Sequence, residues 1–236
     1  MKFLKPKFWD VSKISIYSIF LLPFSFLFQL ITLFRRLTTT TKKYQIPTIC
    51  IGNIYLGGTG KTPLSYELFK ILKNLKMNPV FIRKSYESFK DEINLLKQLG
   101  PVIEKRKRGL ALNDAIKNKY NIAILDDGFQ DFSVKKDKSI ICFNEKQWIG
   151  NGFIIPAGPL REGMSALSRA DIVFINGEKN LEIENKLLSK NKLVKIFYSI
   201  YKPQNINEFI NKKVICFAGI GNPNNFFNLL KKNEIK

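Results

Sequence analysis

Short apolar runs alternate with amphipathic stretches along most of the chain, and this alternation predicts an α/β protein. The apolar runs predict strands at Thr48–Gly52, Pro79–Arg83, Ile122–Asp126, Ser139–Phe143, Asp171–Ile175, Leu193–Ser199 and Lys213–Ala218. Helical periodicity predicts helices at Lys61–Lys76, Lys90–Leu99, Gly109–Lys119 and Asn180–Ser189, with a short helix from Pro223. Strands that alternate with helices favour a mostly parallel sheet with crossover helices.

A glycine-rich segment connects the first strand to the first helix of this core. It ends in Gly-Lys-Thr, and glycines there allow backbone N–H groups to turn toward phosphate oxygens at a helix N-terminus. Lys61 could reach the β- and γ-phosphates, and the Thr62 hydroxyl could bind Mg²⁺. Tyr55 stands where the usual pattern has its first glycine. The predicted nucleotide-binding residues are Tyr55, Leu56, Gly57, Gly58, Thr59, Gly60, Lys61 and Thr62.

Two adjacent carboxylates follow the strand at Ile122–Asp126. Asp126 and Asp127 precede Gly128, so a plain Asp-Asp-Gly turn is the alternative interpretation. Next to a phosphate-binding loop, an acid at the carboxyl end of a strand predicts a ligand of Mg²⁺ or of its waters. A Gly- and Pro-rich stretch from Gly150 to Glu162 predicts a shaped loop, which ends in an Arg and a Glu that could serve phosphate and metal.

The N-terminal region contains 21 uncharged, mostly apolar residues from Ile14 to Phe34, with basic residues on both sides. This length is sufficient for a helix that crosses a bilayer, and Pro23 would kink it. A helix that lies in the interface or enters one leaflet is equally compatible with the sequence. Because a phosphate-binding domain follows directly, we expect attachment to the cytoplasmic face of a membrane.

The chain is strongly basic, with a formal net charge of +20, and it contains no histidine. The absence of histidine excludes histidine-based acid–base catalysis and disfavours a zinc site. The charge suits an anionic membrane surface or a phosphorylated substrate. The dense cluster from Lys105 to Arg108 has no interleaved aromatic residues, so we expect no nucleic-acid partner.

Five ordered blocks give the chain a resemblance to a known family. They are Lys5-Pro6-Lys7-Phe8-Trp9 before the apolar segment, Gly52-Asn53 with Gly-Gly-Thr-Gly-Lys-Thr-Pro, Leu-Asp-Asp-Gly-Phe-Gln, Gly-Asn-Gly with Pro-Ala-Gly-Pro-Leu-Arg-Glu, and Phe-Ala-Gly-Ile-Gly-Asn-Pro at 217–223. In this series the sequence is similar to the tetraacyldisaccharide 4'-kinases, the lipid A 4'-kinases of Gram-negative bacteria. The resemblance covers nearly the whole chain.

The resemblance implies transfer of the γ-phosphate of ATP to the 4'-hydroxyl of a tetraacylated glucosamine disaccharide 1-phosphate at the bacterial inner membrane. ATP as co-substrate and Mg²⁺ as cofactor follow from it. It also implies that Asp126 and Asp127 are the family's acidic pair and that Glu162 is its acidic residue after Pro-Leu-Arg. Asp91 matches the base that orients the sugar hydroxyl, so Asp91 and Lys61 are the predicted catalytic residues.

Several blocks depart from the family pattern. The Gly and Pro that flank the catalytic acid are missing around Asp91, and Asp131 replaces a histidine. The chain also ends soon after the last block, so we expect a C-terminally shortened family member. A truncated, non-catalytic nucleotide-binding membrane protein is therefore the alternative function, and an ATPase or GTPase switch is a weaker one.

Together these observations predict a three-layer α/β sandwich of the P-loop NTPase type with a mostly parallel sheet. The expected organisation is a membrane-associated helix and linker at residues 1–43 and a kinase core at residues 44–200. Residues 201–236 would form a linker and the start of a truncated second α/β unit.

Overall fold

The fold is built on a single parallel sheet in a computed structural model that describes residues 5–11, 14–85, 96–200, 205–210, 212–218 and 223–235. Its strands are β1 (Thr48–Gly52), β2 (Pro79–Lys84), β3 (Val102–Lys105), β4 (Ile122–Asp126), β5 (Lys138–Asn144), β6 (Ile172–Asn176) and β7 (Lys195–Ser199). The seven strands lie in the order β3-β2-β4-β1-β5-β6-β7. Every neighbouring pair is parallel, which confirms the predicted sheet type.

The central strands read as continuous apolar runs because both faces of the sheet are covered. All five residues of β4 are buried, and four of the five in β1 are buried. The edge strand β3 was missed in the sequence, since its residues Val102–Lys105 are only partly buried and half of them are charged. The strand predicted at Lys213–Ala218 is wrong. This segment has no regular secondary structure, and its apolar Ile215 and Phe217 are largely exposed instead of packed against a neighbouring strand.

The helices are α1 (Ile16–Thr38), α2 (Lys61–Asn74), α3 (Arg108–Lys117), α4 (Leu181–Lys190) and α5 (Pro223–Lys232). Short 3-10 helices occupy Lys7–Trp9, Met164–Arg169 and Ile206–Glu208. Of the predicted helix Lys90–Leu99, residues 96–99 are helical, and the rest lies outside the described residues. Helix α2 ends two residues before the predicted end, because Lys76 takes a left-handed conformation (φ 58°).

Two hydrophobic cores lie on opposite faces of the sheet. Phe69 and Leu72 of α2 pack on one face, together with Leu96. Leu112 of α3 and Leu187 of α4 belong to the cluster on the other face. The molecule therefore has the three layers that the sequence predicts, and the carboxyl ends of β1 and β4 are adjacent, since Ile51 of β1 pairs with Asp126 of β4 in the register.

Helix α1 has an inverted pattern, because its small polar residues face the protein. Ser18 and Ser25 are the buried residues of this helix. Ser25 donates a hydrogen bond to the carbonyl oxygen of Ile154 (2.8 Å) and accepts one from the backbone N–H of Ala157 (3.0 Å). Ser18 Oγ accepts a hydrogen bond from Asn151 Nδ2 (3.1 Å). Polar contacts therefore fix α1 to the Gly- and Pro-rich loop.

The rest of α1 is an apolar surface without cover from the protein. Its exposed large side chains are Ile16, Tyr17, Ile19, Phe20, Leu22, Phe24, Phe26, Leu27, Leu30, Ile31, Leu33, Phe34 and Leu37. Among the described helices it is the one long and apolar enough to cross a membrane, with a mean hydropathy of 1.9 and only 11% of its apolar window buried. A core helix of a water-soluble domain would have its apolar side chains buried, and this helix has the opposite arrangement.

We predict that Ser25→Ala loosens α1 from the core. The substitution removes the hydroxyl partner of the Ile154 carbonyl and of the Ala157 N–H. The Ile154 carbonyl keeps the hydrogen bond from the N–H of Gly158, but the buried N–H of Ala157 loses its partner, which costs about 1–3 kcal/mol. Thermal unfolding of the protein in a neutral detergent measures the loss. Thr32→Ala is the matched control, since that hydroxyl bonds to the carbonyl of Phe28 in its own helix. Equal unfolding temperatures for wild type and Ser25→Ala would contradict the role of this contact.

Candidate active site

The glycine-rich loop begins at the carboxyl end of β1 and ends at the first turn of α2. Gly60 lies directly before α2 in a left-handed conformation (φ 87°), and Gly57 has a φ of 155°. Residues with a Cβ rarely adopt these angles, so the glycines are required by the path of the loop. Lys61 and Thr62 are the first two residues of α2. The local structure is therefore the strand, loop and helix that the sequence predicts for a phosphate-binding site.

A buried asparagine holds the inside of this loop. The Asn53 side-chain amide lies 2.6 Å from the carbonyl oxygen of Tyr55, 3.3 Å from that of Gly57 and 3.0 Å from Thr59 Oγ1. Gln130 in turn donates a hydrogen bond to the Asn53 carbonyl oxygen (2.9 Å). Because Asn53 binds the loop carbonyls, these oxygens are directed away from the side where an anion would bind. The sequence contained Asn53 in a family block but gave no sign of this role.

Tyr55, which replaces the first glycine of the usual pattern, directs its side chain into the core. It is fully buried, and its hydroxyl donates a hydrogen bond to Asp10 (2.6 Å) and accepts one from Lys5. Burial raises the pKa of Tyr55, and the hydrogen bond to Asp10 raises it further. The ring therefore does not fill the space inside the loop. Instead it connects the start of the loop to the segment that precedes α1.

The Pro-Leu-Arg-Glu segment is hydrogen-bonded to the start of the phosphate loop. The N–H of Leu56 donates to the carbonyl of Pro159 (2.7 Å), and the N–H of Arg161 donates to the carbonyl of Ile54 (2.7 Å). These two bonds place Arg161 beside the acidic pair at the end of β4. The Arg161 Nη1 atom lies 3.0 Å from both carboxylate oxygens of Asp127.

Asp127 is the point at which the candidate site residues meet. Its carboxylate binds Arg161, and its Oδ1 atom lies 3.8 Å from the Lys61 ammonium nitrogen. Burial would raise the pKa of Asp127, but the positive charges of Lys61 and Arg161 outweigh it and hold the pKa below its ordinary value. The phosphate loop, the acidic pair and the Pro-Leu-Arg-Glu loop therefore converge on one carboxylate.

Asp126 has a different environment. Its carboxylate forms an ion pair with Arg83 of β2 (3.3 Å), and both side chains are buried. The sequence placed Arg83 at the end of a predicted strand and did not predict this role. Because β2 and β1 flank β4, the Asp126 side chain lies between the strand that carries Arg83 and the strand that leads to the phosphate loop.

Arg108 holds the acidic turn in place through hydrogen bonds, a role that the sequence did not predict. Its Nη2 donates to the carbonyls of Asp126 (2.8 Å) and Asp127 (2.9 Å), and its Nη1 binds Asp131 (3.0 Å). These bonds fit the left-handed conformation of Asp127 (φ 47°). Arg108 is the last residue of the basic cluster from Lys105 to Arg108, yet its side chain is only 5% exposed. Another member, Lys105, pairs with Asp114.

Asp131, which replaces the histidine of the family pattern described above, is in this structure a partner of Arg108. Burial raises the pKa of Asp131, but hydrogen bonds from Ser133 and the Arg108 guanidinium lower it below the ordinary value. The charged carboxylate therefore stabilises the buried arginine under the acidic turn. A neutral imidazole at this position would lack that charge.

Glu162 is held by Arg169 (2.6 Å), and its other oxygen, Oε1, is buried without a hydrogen-bond partner in the described part of the chain. The Arg169 guanidinium lies over the rings of Phe129 (4.5 Å) and Phe132 (5.1 Å). The three predicted metal carboxylates, those of Asp126, Asp127 and Glu162, thus have separate protein partners. Of the residues that the structure describes, no group of three or more Asp, Glu, His or Cys side chains could hold a metal ion on its own.

The predicted catalytic acid Asp91 lies outside the described residues. Lys61, the other predicted catalytic residue, lies at the mouth of the loop next to Asp127. The structure therefore brings together the phosphate loop, the acidic pair and Arg161, and leaves the position of Asp91 as a sequence-based prediction.

Comparisons with known proteins agree on one family. The family model for tetraacyldisaccharide-1-P 4'-kinase matches residues 17–236. The chain is 42% identical to the tetraacyldisaccharide 4'-kinase of Pelagibacter ubique, over 100% of this chain and 76% of that protein. It is 34% identical to the enzyme of the same name from Rickettsia bellii, over 98% of this chain and 76% of that protein.

A solved structure supports the fold. The chain is similar to LpxK from Aquifex aeolicus, a crystal structure in complex with ATP, with a TM-score of 0.72. The match covers 94% of this chain and 80% of that one at 24% sequence identity. This likeness confirms the predicted P-loop NTPase-like architecture.

We predict that Arg161→Gln raises the pKa of Asp127. The charged form of Asp127 stabilises the fold above its ordinary pKa of about 3.9, and this contribution disappears as the pH falls through its lowered folded-state pKa. Without Arg161, the rise in pKa caused by burial is opposed chiefly by the charge of Lys61. The pKa of Asp127 is then higher, and its contribution to the stability of the fold is lost at a higher pH. Acid unfolding followed by circular dichroism should therefore begin at a higher pH than in wild type.

The control for this measurement is Lys138→Gln, which removes the same charge from an exposed ion pair with Asp171. Exposed pairs contribute at most about 1 kcal/mol, so this variant should follow the wild-type curve. Superimposable acid unfolding of Arg161→Gln and wild type would contradict the assigned electrostatics of Asp127.

Proposed function

The chain belongs to the tetraacyldisaccharide 4'-kinase family, and from this membership we propose that it transfers the γ-phosphate of ATP to the 4'-hydroxyl of a tetraacyldisaccharide 1-phosphate in lipid A biosynthesis. The product would be the 4'-phosphate of lipid IVA. The observation that carries the proposal is the meeting of Lys61 and Arg161 on Asp127 at the mouth of the glycine-rich loop.

ATP is assigned to the loop at residues 55–62. In the proposed complex, backbone N–H groups of the loop and the N-terminus of α2 surround the phosphates, and the Lys61 ammonium contacts the β- and γ-phosphates. The inward Asn53 amide supports this assignment, because it removes loop carbonyls from the anion side. The proposed part of Tyr55 is structural, through its backbone and its contact with Asp10.

The oxygen donors at this edge of the sheet fit Mg²⁺. That ion binds through one or two carboxylates together with substrate phosphates and waters, so it needs no dedicated cluster of protein ligands. The Thr62 hydroxyl and the carboxylates of Asp126 and Asp127 would hold it, and the unpartnered Oε1 of Glu162 supplies a further acceptor. When bound, Mg²⁺ would neutralise charge on the β- and γ-phosphates.

The transfer step needs the sugar hydroxyl aligned with the γ-phosphorus. Its oxygen forms the new P–O bond, the bond from the γ-phosphorus to the β–γ bridging oxygen breaks, and ADP leaves. The proton of the hydroxyl passes to a carboxylate, for which the chain without histidine offers Asp91 by its match to the family base. Lys61 and Arg161 would offset the charge on the transferring group, which is the main contribution a protein makes to phosphoryl transfer.

The acceptor is a lipid, and α1 supplies a reason for the protein to work at a membrane. We assign α1 to the cytoplasmic surface of the inner membrane, where its apolar face enters the outer part of one leaflet. The inverted pattern supports this assignment, since serines contact the protein and large apolar side chains point outward. Arg35 and Arg36 at the C-terminal end of the helix would meet anionic headgroups.

We predict that Asp91→Asn lowers turnover by about 10²–10⁴-fold, the usual contribution of general acid–base catalysis, with unchanged ATP affinity. Phosphate transfer from radiolabelled ATP to the disaccharide lipid in mixed micelles measures the first quantity, and calorimetry measures the second. Asp127→Asn should have a different effect, because it should change the Mg²⁺ concentration that is required for phosphate transfer. Normal transfer by Asp91→Asn would show that another group takes the proton.

We predict that Phe20→Asn/Phe26→Asn weakens membrane attachment without loss of the fold. Both rings are exposed on α1, so their loss removes apolar area from the lipid contact and none from the core. Co-sedimentation with inner-membrane vesicles measures attachment, and deletion of residues 1–36 should release the remainder completely. The control is Leu181→Asn/Leu193→Asn, two exposed leucines outside α1. Equal sedimentation of both double variants and wild type would contradict the assignment of α1.

A further inference from the structure

A basic cleft of about 310 Å³ lies between the last turn of α1 and the segment that connects β4 to β5. Two phenylalanines and a valine form its apolar part. None of the carboxylates in the described part of the chain lines it. The polar side chains around it are four cations and two hydroxyls, those of Arg36, Lys135, Lys136, Arg169, Thr41 and Ser139. None of the residues assigned above to ATP, Mg²⁺ or proton transfer lines this cleft.

The cations of the cleft are close enough to disfavour one another's charge. Burial lowers the pKa of Lys136, and the positive charges of Arg169 and Arg108 lower it further, while the negative charge of Asp131 raises it. Glu162 neutralises one of the four cations, Arg169, and the other three give the cleft a net positive charge that favours an anionic ligand.

Two of these side chains, Arg169 and Lys136, have N–H groups that could donate hydrogen bonds to a ligand. Arg169 uses Nη2 for Glu162, while its Nε and Nη1 are buried and have no hydrogen-bond partner among the described residues. Lys136 donates to the carbonyls of Phe129 and Asp131, which occupies two of its three N–H bonds. Buried donors without partners are costly, and an anion with several acceptor oxygens would satisfy them.

The place of the cleft indicates where such an anion comes from. Arg36 belongs to the last turn of α1, the helix whose uncovered apolar face points away from the protein. With α1 in the membrane interface as proposed above, its basic last turn would lie at the level of the phosphate groups of membrane lipids. We propose that the cleft binds the phosphate of an anionic phospholipid of the membrane, separately from the nucleotide site; this rests on the proposed membrane contact of α1.

The bound lipid would fix the protein at one depth and orientation on the bilayer. The exposed apolar side chains of α1 surround most of the helix, so by themselves they would allow the whole protein more than one orientation on the bilayer. A phosphate held by Arg36 on one side and Arg169 on the other would connect α1 and the core through the same headgroup. Recognition would therefore depend on the negative charge of the headgroup and not on its acyl chains.

The test uses the full-length protein in a neutral maltoside detergent with saturating Mg·ATP, so that the phosphate loop is occupied. Calorimetry measures binding of dihexanoyl phosphatidylglycerol and of dihexanoyl phosphatidylcholine, each below its micellar concentration. We expect phosphatidylglycerol to bind at least about tenfold more tightly, since the choline group would meet the cations of the cleft. Equal affinities for the two lipids would overturn the proposal.

The variant Arg36→Gln/Lys135→Gln tests the residues. Loss of a charge-assisted hydrogen bond weakens binding by about tenfold or more, so phosphatidylglycerol affinity should fall by at least that factor. The matched control is Lys43→Gln/Lys138→Gln, which removes the same number of charges from exposed neighbours that do not line the cleft. The control should stay within about twofold of wild type, and an equal loss in both variants would overturn the site.

The disaccharide lipid also carries a phosphate, so its KM is measured for both double variants in the kinase assay. If Arg36→Gln/Lys135→Gln raises this KM while phosphatidylglycerol affinity is unchanged, the cleft serves the substrate and the proposal is wrong. Lipid binding is measured without turnover and without a bilayer. Failure of this proposal, of the kinase activity and of the membrane contact can therefore be distinguished.

Discussion

Two adjacent carboxylates at the end of a buried strand can remain charged only if cations are close to them, and the candidate site is built around this constraint. Arg83 pairs with Asp126, and Arg161 and Lys61 lie against Asp127. Each cation comes from a different part of the chain. The phosphate loop, the second strand and the Pro-Leu-Arg-Glu loop are therefore connected through the end of β4, and Arg108 holds the turn from beneath.

The N-terminal helix α1 has its polar side chains against the protein and its large apolar side chains on the outside. Serines dock α1 on the loop that also carries Arg161, and this loop is hydrogen-bonded to the start of the phosphate loop. The proposed membrane anchor is thus joined to the proposed catalytic residues by the Ser25 hydroxyl and a short series of backbone hydrogen bonds. A lipid acceptor presented by the membrane would meet the site in a fixed orientation.

Much of this architecture could be predicted from the sequence, because buried parallel strands and glycine-rich loops have strong local patterns. The strands β1 and β4 and the start of α2 agree with prediction to the residue. The edge strand β3 was not predicted, and the strand predicted at residues 213–218 is wrong, because pairing with a neighbouring strand decides whether such short runs become strands. The roles of Asn53, Arg83 and Arg108 were missed for a related reason. Each depends on a partner distant in the sequence, or on burial that composition does not reveal.

The central claim is that the chain is a working lipid kinase whose phosphate loop acts through Lys61. The most direct test is phosphate transfer from radiolabelled ATP to the tetraacyldisaccharide 1-phosphate by the purified protein in mixed micelles, with the position of the new phosphate determined by NMR. We expect transfer to the 4'-hydroxyl by wild type, and for Lys61→Ala both weaker ATP binding and loss of transfer. Tight ATP binding by wild type without any transfer would contradict the account and favour a non-catalytic nucleotide-binding protein.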